Sequence, residues 1–206
     1  MYKKLIITFE GIEGSGKSLH INNVSNFLKK KRIPYIKLRE PGGSKNSEKI
    51  RKLILNKKST LNRNTDLLLY LAARSENVEK LITKNYNKKI ILIDRFSDST
   101  LAYQHYGMNI DKNLIQNINK YILNKINVNF TFLHTVNQKN LKYRLSRRKS
   151  LNKYDKFKFD FYNKVQKGFI KLSRLNKKKY LLINSNNSIS LNKDIIIQKI
   201  QKLLYK

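Results

Sequence analysis

Within eight positions, Gly11-Ile12-Glu13-Gly14-Ser15-Gly16-Lys17-Ser18 sets glycines, a lysine and a hydroxyl in the order that a phosphate-gripping turn requires. A phosphate must be approached closely by several backbone N–H groups, which only a glycine-rich turn with unusual dihedral angles allows. Gly11, Gly14 and Gly16 supply that freedom, with Ile12, Glu13 and Ser15 between them. Lys17 would bring a mobile positive charge to the outer phosphates, and Ser18 would complete the shell of a magnesium ion. The helix that Ser18 opens adds the positive end of its dipole.

Such a turn grips phosphate only between a strand and a helix, and the flanking pattern meets that demand. The apolar run 5–9 precedes it and an amphipathic run 19–30 follows. Further strands are expected at 33–38, 89–93, 128–133 and 180–183, the third of the five an unbroken apolar run as a doubly covered parallel strand should be. Helical spacing is expected at 47–55, 65–85, 113–123, 138–147, 159–175 and 195–205, with a polar turn entering a helix over 97–104. Strands alternating with helices imply an α/β fold, a five-stranded, mainly parallel sheet flanked by helices.

These elements carry further candidate chemistry at their ends. The second strand stops in Arg39-Glu40-Pro41-Gly42-Gly43, a rigid turn at the edge where open α/β sheets bind ligands, although on this stretch alone an ordinary turn is the better reading. Tyr70 and Arg74, four apart, share one helix face, so that an aromatic plate and a fork of donors would meet one planar ligand; a core tyrosine beside a surface arginine is the alternative. The third strand ends in Asp94-Arg95-Phe96, with the carboxylate placed to organise magnesium and its waters. Residues 147–156, with Arg147 and Arg148 at their head, are basic and non-periodic, which suits a mobile flap better than a packed element. Arginines on a flap can swing onto a transferring phosphoryl group; a solvated loop with helix-end charges is the alternative.

With 206 residues and no proline-, glycine- or serine-rich linker, a single domain over 1–206 is expected. There is no cysteine, which removes disulfides and thiolate metal sites. No apolar run approaches the roughly 20 residues needed to cross a bilayer, and no secretory signal is present, so a cytoplasmic protein is expected. The net charge of +32 argues, taken alone, for a polyanionic partner. Lysine is nevertheless spread over loops and helices alike, with no concentrated basic tail, which argues against nucleic acid and for a generally solvated basic surface.

Taken in register, residues 9–18, Arg39 to Gly43, Leu69-Tyr70-Leu71-Ala72-Ala73-Arg74, and Asp94-Arg95-Phe96 through Ala102-Tyr103-Gln104 closely resemble the bacterial thymidylate kinases over nearly the whole chain. The resemblance implies a three-layer P-loop kinase fold with a short basic lid at about 147–158. It implies a homodimer that uses Mg2+ and transfers the γ-phosphate of ATP to dTMP, giving dTDP and ADP for dTTP synthesis. It assigns residues 11–18 to the ATP phosphates, Lys17 and Arg95 to catalysis, and Ser18 with Asp94, through water, to magnesium. Glu13 would face the sugar of the monophosphate, and Arg95 with Arg39 would hold its phosphate. Tyr70 would stack on thymine, Arg74 would bond its carbonyl edge, and Ser99 and Gln104 would border the base. Tyr103 would crowd the place of a ribose 2′-hydroxyl.

Gly14 stands where the eukaryotic type keeps an arginine, so the catalytic arginine has to come from the flap, with Arg147 and Arg148 the candidates. The flap departs from the family: Asp155-Lys156-Phe157-Lys158 replaces the usual Asp-Arg and following glutamate, and lysine does not reproduce arginine's planar fork. His134 stands where relatives commonly have aspartate. Another nucleoside monophosphate kinase, or a nucleic-acid-binding protein that keeps the loop as scaffold, are the rival readings.

Overall fold

The computed structural model describes residues 3–148 and 153–205. Five strands, β1 (Ile6–Gly11), β2 (Tyr35–Arg39), β3 (Ile90–Asp94), β4 (Phe130–Thr135) and β5 (Tyr180–Asn184), form one sheet in the order β2-β3-β1-β4-β5. Every recorded strand pair is parallel, so the sheet is wholly and not just mainly so. Both faces are covered, which is why β1, β3 and β4 read as continuous apolar runs. Ile7, Phe9, Ile90 and Leu92 pack on one side with α1 (Lys17–Lys30) and α9 (Ile189–Leu204); Ile6, Ile91 and Ile93 pack on the other with Val78 and Ile82.

Register is what positions the site. Phe9 and Arg39 both pair with Asp94, and Gly11 pairs with His134, so the carboxyl ends of β1, β2, β3 and β4 finish at one level. A ligand bound there meets the loops after all four.

Helices α2 (Lys45–Leu55), α3 (Arg63–Asn77), α6 (Lys112–Leu123), α7 (Gln138–Ser146) and α9 begin on Ser44, Asn62, Asp111, Asn137 and Ser188, whose side chains each accept a first-turn N–H. Helix α1 has no such cap: Gly16 stands at its start with φ of 84°, leaving its first N–H groups directed into the phosphate-loop turn. The cap on Ser188 also explains why α9 starts at Ile189 and not at 195: the polar stretch before Ile195 already has its terminal donor satisfied.

The expected helix over 65–85 is divided. α3 passes into a π turn (Val78–Ile82) and ends in α4 (Thr83–Asn85). A second π turn (Leu101–Gly107) follows α5 (Ser97–Thr100), and α8 (Phe159–Leu175) packs tightly on it: a Cβ on Gly168 would lie 2.6 Å from the Tyr106 ring. The expected flap is only partly described, since residues 149–152 lie outside the described set. Its second half is packed. Lys153–Lys156 forms a 3-10 turn, and Tyr154 is buried edge-on to Tyr70 and Tyr103, its hydroxyl donating to Asp66. Sequence periodicity cannot register a single aromatic anchor of this kind.

Phe132, fully buried, stacks on Phe9 at 5.2 Å in the layer beneath the phosphate loop. Phe132→Ala is expected to lower stability by about 3–5 kcal/mol, read as a fall in thermal midpoint. A change within experimental error would mean that this layer does not bear on the sheet.

Candidate functional site

At the common level of the strand ends lies a cleft of about 430 Å3. The phosphate loop forms its floor, and backbone sterics explain the glycines. A Cβ on Gly11, at φ of 138°, would lie 2.3 Å from the His134 carbonyl oxygen, so any other residue would force β1 and β4 apart. Lys17 is buried and donates from Nζ to the Ile12 carbonyl at 2.7 Å. Burial, with the neighbouring Arg95 charge, pulls its ammonium down to about 7, a value that phosphate oxygens at the loop would raise again. The Ser18 hydroxyl donates to Asp94 Oδ2 at 2.6 Å.

Arg95 joins this floor to the far wall. It sits in the left-handed region, φ of 67°, directly after β3. Its guanidinium donates to the Gly11 carbonyl and to Glu13 Oε1, each at 2.9 Å, and lies 5.1 Å from the Tyr103 ring centre. The Tyr103 hydroxyl donates to the other oxygen of Glu13, so Glu13 orients both an arginine and a tyrosine. Ser99 and Gln104 line the same wall.

On the opposite side, Tyr70 and Arg74 reach the cleft from α3, as their spacing predicts, but the exposure is the reverse of the core-tyrosine alternative. Tyr70 is half-buried and Arg74 is 1% exposed. Its Nε donates to Glu40 Oε2 at 2.8 Å and its Nη1 to Asn119 Oδ1 at 2.6 Å, with the Phe96 ring centre 5.2 Å from its guanidinium carbon. Arg39 is exposed at the rim, 3.2 Å from Glu48. Among the described residues, the buried Gln104 Nε2 and Thr100 Oγ1 find no hydrogen-bond partner, although both residues border the cleft. Buried polar groups left in this way suit a polar ligand that completes them.

The two flap arginines separate. Arg148 lines the cleft and pairs with Asp155. Arg147 is exposed, its guanidinium 4.8 Å from the Tyr143 ring centre, and does not border the cleft. His134 stacks on His20 at 5.4 Å beneath the loop, and burial holds it well below its usual range, hence neutral.

Sequence reasoning missed several contributors. Arg144 donates to the Gly14 carbonyl at 2.8 Å and the Ser185 carbonyl at 2.6 Å, tying the phosphate loop to the end of β5. Arg51 donates to the Pro41 carbonyl and, like Tyr154, lines the cleft. In so basic a chain, one more arginine inside a helix gave no signal. Among the described residues, no three His, Cys, Asp or Glu side chains gather to hold a metal unaided. Nor is any helix there long and apolar enough to cross a membrane.

A family model described as "Thymidylate kinase" matches residues 9–196. The thymidylate kinase of Acholeplasma laidlawii is 37% identical over 204 residues, covering 97% of this chain and all of the relative. That of Thermosipho africanus is 34% identical over 203 residues, 98% of each. The crystal structure of thymidylate kinase from Ehrlichia chaffeensis superimposes with a TM-score of 0.79 at 30% identity, covering 97% of this chain and 99% of the other.

Behind the cleft, burial and then the Asp98 charge push the Glu10 carboxyl from 4.5 up to about 7. A raised carboxyl favours the fold in its neutral form, so that contribution is complete below about 4.5 and is lost as pH rises through 7. Glu10→Gln, which cannot ionise, should therefore gain stability over the wild type at pH 8 by up to about 3 kcal/mol more than at pH 5. Thermal midpoints of both proteins at the two pH values check this; an equal difference at both would contradict it.

Proposed function

The chain belongs to the thymidylate kinase family, and on that premise we propose how its cleft phosphorylates dTMP with ATP. The observation that carries the reading is that one continuous cleft joins the phosphate loop to Tyr70, Arg74 and Gln104. That continuity supports a phosphate donor bound at one end and a planar base at the other.

The acceptor is the phosphate of dTMP, already ionised at neutral pH, so the reaction needs neither a nucleophilic side chain nor a dedicated base. What remains is alignment of the two phosphates and neutralisation of moving charge. Residues 11–16 hold the ATP phosphates through backbone amides, and Lys17 turns from the Ile12 carbonyl to the outer phosphates. Arg95, fixed by Gly11 and Glu13, holds the acceptor phosphate with help from Arg39 at the rim. Arg148 is the first flap candidate for the transferring group, because it already borders the cleft; Arg147 is the second.

Thymine stacks on Tyr70. Arg74, with two of its nitrogens fixed by Glu40 and Asn119, turns its remaining donors to the carbonyl edge of the base, while Gln104 Nε2 gains a partner there. Ser99 borders the base, and Tyr103, held on Glu13, closes the space a ribose 2′-hydroxyl would need. Mg2+ fits the Ser18–Asp94 pair, whose hydroxyl and carboxylate oxygens are hard donors beside the loop. Ser18 would hold the ion directly and Asp94 through water; when bound, the ion supplies charge neutralisation to the ATP phosphates. The family resemblance extends the proposal to a homodimeric, cytoplasmic enzyme of one domain.

ADP release with dTMP as acceptor is the test. The wild type should turn over, and Lys17→Ala should lose about a thousandfold or more in kcat/KM at unchanged thermal midpoint. The active protein should elute at twice the mass of the chain. A clear preference for AMP over dTMP would sink the thymine assignment, and steeply salt-dependent DNA binding without turnover would favour a nucleic-acid-binding role.

A further inference from the structure

We propose that Glu10, which borders no part of the cleft, is the positioning residue that fixes Arg95 and Ser99 for the acceptor phosphate and base. The inference rests on the reading of the cleft given above and concerns how one wall of it is held. Glu10 is 1% exposed and stands at the end of β1, between Phe9 and Gly11. Its Oε1 accepts from the Phe96 N–H at 2.8 Å, and its Oε2 accepts from the Ser99 hydroxyl at 2.5 Å.

Arg95 needs such a hold. Its left-handed backbone is uphill for a residue with a Cβ and persists only where the surroundings over-determine it. On its amino side its own N–H donates to the Phe9 carbonyl at 3.0 Å. On its carboxyl side the next N–H, that of Phe96, is the one Glu10 takes. The side chain is caught by Gly11 and Glu13. Apart from a long contact of its guanidinium with the Ser99 hydroxyl at 3.5 Å, the hydrogen bonds that set the direction of Arg95 come from residues 9–13, and Glu10 is the side chain that closes the backbone half of that grip. Its second oxygen fixes Ser99, one helical turn further along the same wall.

The geometry also separates this role from chemistry on the substrate. Glu10 faces a cavity of about 280 Å3 on the other side of the Phe96 backbone, where Asp98 accepts from the Tyr180 hydroxyl at 2.7 Å. Glu10 does not line the cleft, whereas Arg95 and Ser99, which it holds, do, so it acts through those two residues. What it must supply is reach and hydrogen-bond geometry, and not a charge.

Two substitutions divide those possibilities. Glu10→Gln keeps the length, an acceptor for Phe96 N–H and an amide to donate to Ser99, but removes the charge; Glu10→Asp keeps the charge and withdraws it by one methylene. Steady-state kinetics with dTMP and ATP, with a thermal midpoint for each protein, should give a Glu10→Gln variant within about threefold of the wild type in both KM values. Glu10→Asp should raise the dTMP KM about tenfold or more with the ATP KM within about twofold, a split that general loosening would not produce. If Glu10→Asp does not fold, Glu10→Gln carries the test by itself: a tenfold rise in its dTMP KM without loss of thermal midpoint overturns the inference. Equal dTMP KM values in all three proteins also overturn it. A wild type that leaves dTMP untouched overturns instead the reading on which the inference rests.

Discussion

The structure depends on where β1 ends. As the middle strand of a five-stranded parallel sheet, β1 is fixed from both sides, by β3 through Phe9 opposite Asp94 and by β4 through Gly11 opposite His134. Two apolar layers clamp it above and below, so its last residues have little freedom to move. From that fixed point the chain turns at once into the phosphate loop, and the same residues catch the chain leaving β3. The phosphate loop and the wall that carries Arg95 are therefore both referred to one short segment.

Charge is distributed with the same logic. The chain has 45 basic residues and only 13 acidic ones. Arg39, Arg74, Arg95 and Arg148, which line the cleft, pair with Glu48, Glu40, Glu13 and Asp155 in turn, while Asp66 takes Lys153 beside it. Four of the scarce carboxylates thus stand beside a guanidinium of the cleft. For the buried Arg74–Glu40 pair the gain is orientation more than stability, since desolvation of both partners offsets most of their attraction. The rest of the basic excess is spread along loops and helices alike.

Much of this was legible in the residues. Gly11 to Ser18 announced the loop, apolar runs announced the buried strands, and the i, i+4 spacing placed Tyr70 and Arg74 on one wall. What escaped were contacts that depend on long-range closure. Asn119 reaches Arg74 across 45 positions, and Arg144 reaches Gly14 across 130; no local pattern encodes such meetings. Tyr154 read as part of a polar flap because its neighbours are lysines, yet its ring is buried against Tyr70 and Tyr103. The start of α9 was missed because Ser188 caps it from within a polar stretch whose side chains give no helical period.

On the proposed function, donor and acceptor lie in one cleft, hung from one strand end, with their phosphates in line. Inhibition by adenosine and thymidine joined 5′ to 5′ through five phosphates measures this most directly, because one molecule then has to fill both ends at once. Competition against ATP and against dTMP alike is expected, with binding far tighter than that of either nucleotide alone. Competition against only one of the two would contradict it, because the phosphate loop and the Tyr70–Arg74 wall would then serve separate sites.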